Sequence, residues 1–122
     1  MGQMKKIRVQ RVYERRPRDR ETAFLVDRLW PRGIRKEALA IKAWTRDVGP
    51  SDRLRHWFGH DPAKWPEFKR RYFRELKEKP GVWQPLMEAA RKGPITLLFA
   101  AKDAEHNNAV ALKEFLQRRT GT

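Results

Sequence analysis

A chain of 122 residues with no cysteine and a formal net charge of +14 excludes thiolate catalysis, a disulfide framework and sulfur-based zinc sites. The excess of 29 Lys and Arg over 15 Asp and Glu favours polyanionic partners, nucleic acid first and phosphate-bearing small molecules next, although an Arg-rich surface also serves solubility or thermal stability. No apolar run approaches the roughly 20 residues that span a bilayer, and "MGQMKKIRVQ" lacks the apolar stretch of a secretory signal, so a cytoplasmic protein with no membrane attachment is expected.

The first element in chain order is a strand over "KIRVQRVY", rich in Ile, Val and Tyr. "ERRPRDRE" follows as a polar loop with Pro17 and no apolar residue. Residues 5–20 carry eight Lys or Arg against Glu14 and Asp19, a basic loop able to grip phosphates without reading bases. "AFLVDRL" is apolar on consecutive positions from Ala23 to Val26, the pattern of a strand covered on both faces in a parallel sheet. "AIKAWT" is a short third strand, with Ile41, Ala43 or Trp44 turned inward.

Helices come next. "SDRLRHWF" opens with Ser51 as N-cap and Asp52 in the first turn, and places Leu54, Trp57 and Phe58 on one face. "DPAKWPEFKRRYFRELKEK" begins with Asp61 as cap and Pro62 at the first helical position, and Trp65, Phe68, Tyr72 and Leu76 recur at helical spacing. Pro66 either kinks that first turn or marks the start of the regular helix. After a Pro80-Gly81 break, "VWQPLMEAARKG" runs to Gly93. "ITLLFAA", Ile95 to Ala101, repeats the doubly covered strand pattern, and "HNNAVALKEFLQRR" closes the chain with Ala109, Leu112 and Leu116 facing inward. Strands alternating with helices predict a single α/β domain over residues 1–122, three layers with a small, mostly parallel sheet flanked by helices, frayed at 1–5 and 118–122.

In such a sheet ligands bind beyond the carboxyl ends of the strands, where loops and helix N-termini converge. Three polar clusters fall there: Asp27, Arg28, Trp30, Pro31, Arg32 and Gly33 after the second strand; Arg46, Asp47 and the Pro50-Ser51 helix start after the third; Lys102, Asp103, Glu105, His106, Asn107 and Asn108 after the last. Arg28, Arg32, Arg55 and Lys102 can hold an anion, Arg32 with a forked contact, and Trp30 can stack on a ring. The alternative for "LVDRLW" is an internal Asp27–Arg28 salt bridge with Trp30 packed as core. His106 beside Asp103 can form an acid-base pair, because histidine titrates near neutrality. Asp103 can instead cap the last helix, and Asn107 or Asn108 can close bonds within the loop.

His56 and His60 are four residues apart, but Gly59 and the Asp61-Pro62 cap end the helix between them, so no metal site is expected. No Gly-rich phosphate loop, nucleophile elbow or H-E-x-x-H motif occurs, and no cofactor is called for. "SDRLRHWFGHDPAKW" has proline and aromatics where a recognition helix would expose polar residues, which argues against sequence-specific duplex reading.

The blocks "RVYE", "LVDRLWPRG", "AWTRDVGPSDRLRHWFGHDP", "F..RY..EL" and "TLLFAAKDAEHNNAVAL" resemble the domain-of-unknown-function 488 (DUF488) family in its YeaO-like branch, from about Ile7 to Leu116. The resemblance implies a small cytoplasmic α/β domain. It points to Asp27, Arg28, Trp30, Pro31, Arg32 and Gly33, to Ser51, Arg55, Trp57, Phe58 and His60, and to Lys102, Asp103, His106 and Asn107. More distant relatives carry a cysteine-containing motif where this chain has "AAKDAEH", so a thiol mechanism does not carry over.

These readings converge on a cleft for an anionic, nucleotide-like or nucleic-acid ligand, with Arg28, Trp30, Arg32, Ser51, Arg55, His60, Lys102 and Asn107 as binding residues and His106 with Asp103 as the acid-base pair if the domain is an enzyme. The competing classes are a non-enzymatic, nonspecific nucleic-acid-binding or regulatory module using a broad basic surface, and a partner-binding domain whose charge serves solubility alone.

Overall fold

A computed structural model describes residues 6–16 and 18–119. Lys5, Pro17 and the fraying expected for 1–5 and 120–122 lie outside the described residues.

Four parallel strands form one sheet in the order β1-β4-β2-β3: β1 is Ile7–Arg11, β2 Thr22–Leu25, β3 Ala43–Trp44 and β4 Ile95–Phe99. The two strands with consecutive apolar residues lie inside the sheet. Every residue of β4 is buried, and Leu97 pairs with Val9 on one side and Phe24 on the other. β1 ends sooner than "KIRVQRVY" implies, because Val12–Glu14 winds into a 3₁₀ turn. β3 is only two residues long; Trp44 is half-buried, whereas Ala43 is exposed and not turned inward.

Four helices follow the expected order: α1 Asp52–Phe58, α2 Trp65–Lys77, α3 Pro80–Lys92 and α4 Asn108–Arg119. Ser51 Oγ accepts from Leu54 N–H at 3.2 Å and starts α1; Gly59, at φ 52, ends it. Asp61 Oδ1 accepts from Ala63 N–H, but what it caps is a 3₁₀ turn, Pro62–Lys64. The regular helix starts at Trp65 with Pro66 in its first turn, where the missing N–H costs nothing. The same logic corrects the expected break at Pro80-Gly81: both residues belong to the first turn of α3. Arg118 and Arg119 are also helical rather than frayed. Arg118 pairs with Glu114 at 2.6 Å, and the Arg119 guanidinium lies 5.0 Å from the Phe115 ring centre.

The period of a strand sends alternate residues to opposite faces. Phe24, Val26, Leu97 and Phe99 join the helices in the main core, with Phe68, Tyr72, Leu86 and Leu112 behind them. Ala23, Leu25 and Leu98 face the other way and meet Val12 and Leu39, screened by Trp30, Ile34, Ile41 and Trp44. The layer on that side is built from the loop between β2 and β3, which contains only a 3₁₀ turn, Lys36–Ala38.

Candidate functional site

The carboxyl ends of β1, β2 and β4 and the start of α1 surround a cleft of about 550 Å³, a size that holds a nucleotide-scale ligand. Among its lining residues are Arg28, Trp30, Arg32, Arg55, His60, His106 and Asn107. Lys102 and Asp103 line an adjoining hollow of about 700 Å³ that shares Tyr13, His60, Ala100 and Ala101 with the cleft. These groups come from separate segments of the sequence, from Tyr13 through residues 28–32 and 55–60 to residues 100–107; the parallel sheet brings them to one edge.

Each wall has a local cause. After β2 the chain leaves the sheet at Asp27, and Asp27 Oδ2 accepts from Ala100 N–H at 2.9 Å, tying the exits of β2 and β4 together. Asn108 Nδ2 adds a second tie to Val26 O at 2.9 Å. Arg28 folds back over α1, its Nε and Nη2 donating to Pro50 O and Gly49 O, both at 2.9 Å. Gly49 is required at this crossing, since a Cβ there would lie 3.1 Å from Arg28 N and 3.3 Å from Val26 O. The alternative of an internal Asp27–Arg28 salt bridge therefore does not hold: the carboxylate faces a strand-end amide and the guanidinium faces carbonyls. Burial raises the Asp27 carboxyl above its usual range, against the lowering pull of the Ala100 N–H, Asn108, Arg55 and His60.

Trp30 is half-buried; its Nε1 donates to Ile34 O at 2.7 Å and its ring meets Trp44 edge-on at 5.4 Å. It thus serves both the small core and the cleft wall. Arg32 is exposed at the rim, and its guanidinium has no hydrogen bond or ion pair among the described residues. Its carbonyl accepts from Tyr13 Oη at 2.8 Å, which fixes the loop just before Gly33, at φ 80. Arg55 bonds Asp52 at 3.0 Å, while its buried Nε has no partner among the described residues.

Asp103 holds the loop before α4. Its Oδ1 accepts from Glu105 N–H at 2.9 Å and His106 N–H at 3.1 Å, and its Oδ2 lies 2.9 Å from His106 Nδ1. The Glu105 N–H first, then the His106 ring, lower its carboxyl below the usual range. The helix cap is Asn107, whose Oδ1 accepts from Val110 N–H at 3.0 Å, rather than Asp103. His106 also meets Trp65 edge-on at 5.4 Å, leaving Nε2 as the ring nitrogen without a partner among the described residues.

Two expected contributors lie elsewhere. Ser51 does not line the cleft; its Oγ donates to Glu75 Oε2 at 2.6 Å and its N–H to Oε1 at 2.9 Å, which locks α1 to α2. Arg46 lies over the Trp44 ring at 5.4 Å. Trp57, with Arg71 at 4.2 Å and Lys64 at 5.0 Å from its ring, packs on the main core, as the helix face it shares with Leu54 and Phe58 implies. His60, at φ 57, leaves the α1 helix, so it shares no helix face with His56. Tyr13 escaped the sequence reading, although the rule of strand carboxyl ends applies to β1 as well as to β2 and β4. Nothing local singled out Phe68, which reaches the cleft from α2.

The fold and site define a small all-parallel α/β domain with a basic cleft at the strand carboxyl edge. Residues 6–122 match the family model described as "Inactive DUF488-N3 subclade", and the chain belongs to the DUF488 family. It is 36% identical over 111 residues to "Uncharacterized protein YeaO" of Escherichia coli (strain K12), covering 91% of this chain and 96% of that protein. It is 35% identical over 114 residues to "Uncharacterized protein Rv3073c" of Mycobacterium tuberculosis (strain ATCC 25618 / H37Rv), covering 93% and 96%. No solved structure matches significantly. No helix among the described residues is long and apolar enough to cross a membrane.

Proposed function

We propose that this domain binds an anionic, ring-bearing small ligand of nucleotide type in the cleft, in the cytoplasm, with Arg32 holding the anion at the rim. The observation that carries this reading is the convergence of Arg28, Arg32, Arg55, His60 and His106 with Trp30 and Phe58 around one hollow. Cations in a concave site act on a ligand at a lower effective dielectric than the same charges spread over a surface. Arg28 is committed to the backbone, so its part is to shape the wall and supply charge. The word "Inactive" in the family description favours binding over turnover.

Acid-base catalysis by His106 is the second reading, supported by the 2.9 Å contact to Asp103 that orients its ring toward the cleft. Asp103 is equally explained by the loop turn it closes, so binding stands first.

Thermal denaturation of the full chain with mononucleotides, ribose 5-phosphate and short oligonucleotides tests the proposal. A ligand at about 100 times its Kd stabilises the folded state by about 2.7 kcal/mol, a Tm rise of roughly 10 °C. Arg32→Ala should abolish that rise. Binding confined to long oligonucleotides, steeply weakened by salt and indifferent to Arg32, would instead assign the charge to a broad nucleic-acid surface.

A further inference from the structure

Asp27 is out of place in a site for anions. It sits on the wall of the cleft together with Pro50, Phe58, Phe68 and Ala100, it has no ion pair among the described residues, and its charge is disfavoured by burial. A carboxylate in that position repels a phosphate, so the anionic part of a ligand belongs at the Arg32 rim and the opposite end of the ligand meets Asp27. A cationic ligand fares no better, because Arg28, Arg32 and Arg55 line the same walls. What remains is a neutral, flat group whose edge donates hydrogen bonds.

Resting on the nucleotide reading, we infer that Asp27 and Arg55 read the base of the ligand and that the edge they fit is guanine's: two adjacent N–H donors beside a carbonyl acceptor. Asp27 Oδ2 is held in place by Ala100 N–H at 2.9 Å and the Asn108 side chain also bonds the carboxyl; a carboxylate has about four acceptor positions on its two oxygens, which leaves two for a pair of neighbouring donors. Arg55 supplies donors: among the described residues only its Nη2 is engaged, by Asp52 at 3.0 Å, which leaves the rest of its outer guanidinium edge to the ligand. Arg55 and Asp27 both line the cleft. The Phe58 and Phe68 side chains offer apolar contact to the ring. Adenine presents one donor and an acceptor on the matching edge, uracil one donor between two acceptors, and cytosine one donor and two acceptors; each leaves an acceptor facing the carboxylate. A site built around buried polar groups rejects an analogue that fails to pair with them.

The test measures binding of GMP, IMP, AMP and ribose 5-phosphate to the full chain by calorimetry. IMP keeps the ring N–H and the carbonyl but lacks the second donor. The expected order is GMP, then IMP, then AMP, with GMP bound about tenfold or more tightly than AMP, as loss of a charge-assisted hydrogen bond implies. Asp27→Asn should bring GMP and AMP to similar affinities while ribose 5-phosphate binds as before. The asparagine oxygen can still accept from Ala100 N–H, and should the variant fail to fold, the order of the three nucleotides on the unaltered protein decides. Equal binding of GMP and AMP, a preference for AMP, or an Asp27→Asn variant that keeps the guanine preference overturns the assignment of Asp27 but leaves the anion site standing. Binding of none of the four ligands overturns the nucleotide reading itself.

Discussion

The two faces of the sheet are built on different principles. On the helical face, twenty-one buried side chains among the described residues form one cluster, and they come from strands and helices whose apolar positions repeat at periods of two and about 3.6. On the other face only five are buried, and the cover is a loop pinned by single hydrogen bonds such as Trp30 Nε1 to Ile34 O and Trp44 Nε1 to Asp27 O, both 2.7 Å. The thick face supplies most of the apolar burial that stabilises the fold. The thin face can leave polar groups facing a hollow at its edge, where the cleft opens.

The largest expected effect contrasts the faces directly. Leu112→Ala removes a fully buried side chain from between helix and sheet and should cost about 2–5 kcal/mol, whereas Leu39→Ala, 6% exposed under the loop, should cost about half as much because the loop can settle into the space. Equal losses in chemical denaturation would mean that the thin face is packed as rigidly as the thick one. Next comes Tyr72→Phe. Tyr72 Oη donates to Val48 O at 2.6 Å from a fully buried position, and its loss leaves that carbonyl unsatisfied, a cost of about 1–3 kcal/mol.

Asp27→Asn should act in the opposite direction. The folded carboxyl is raised above the usual 3.8, so the folded state is favoured while the group is neutral and loses that advantage as pH rises through the raised value. The variant should therefore melt higher than the parent at neutral pH, with the difference vanishing below the ordinary aspartate range. A lower melting temperature at pH 7 would show that the carboxylate stabilises the fold. The smallest effect on stability belongs to Arg32→Ala, within about 0.5 kcal/mol, since its guanidinium is exposed; its effect should appear in ligand affinity alone.

Much of the architecture was legible from apolar patterning. The runs Ala23–Val26 and Ile95–Phe99 marked the inner strands because both their faces are covered, and Phe68, Tyr72 and Leu76 marked α2 through their spacing. The clustering of Arg28, Trp30, Arg32 and His106 followed from one topological rule about parallel sheets, whereas His60 entered only through the family resemblance. Hydrogen-bond partners were not legible. Ser51 carries the same capping signal whether or not Glu75 lies 24 residues away to receive its hydroxyl, and Asp27 next to Arg28 reads as a pair until the backbone turns them toward different neighbours. Pro80 and Gly81 read as a break because a proline that starts a helix and one that ends it look alike in isolation.

Periodic burial is a local property, repeated every two or four residues, and so the string of residues already contained the strands, the helices and the sheet edge where polar groups gather. Which donor meets which acceptor depends on a few ångströms between segments 20 to 80 residues apart in sequence. Such distances arise only when the chain packs, and that packing is what separated Ser51 from the cleft, placed Tyr13 beside it and left Asp27 facing the hollow with no ion pair among the described residues.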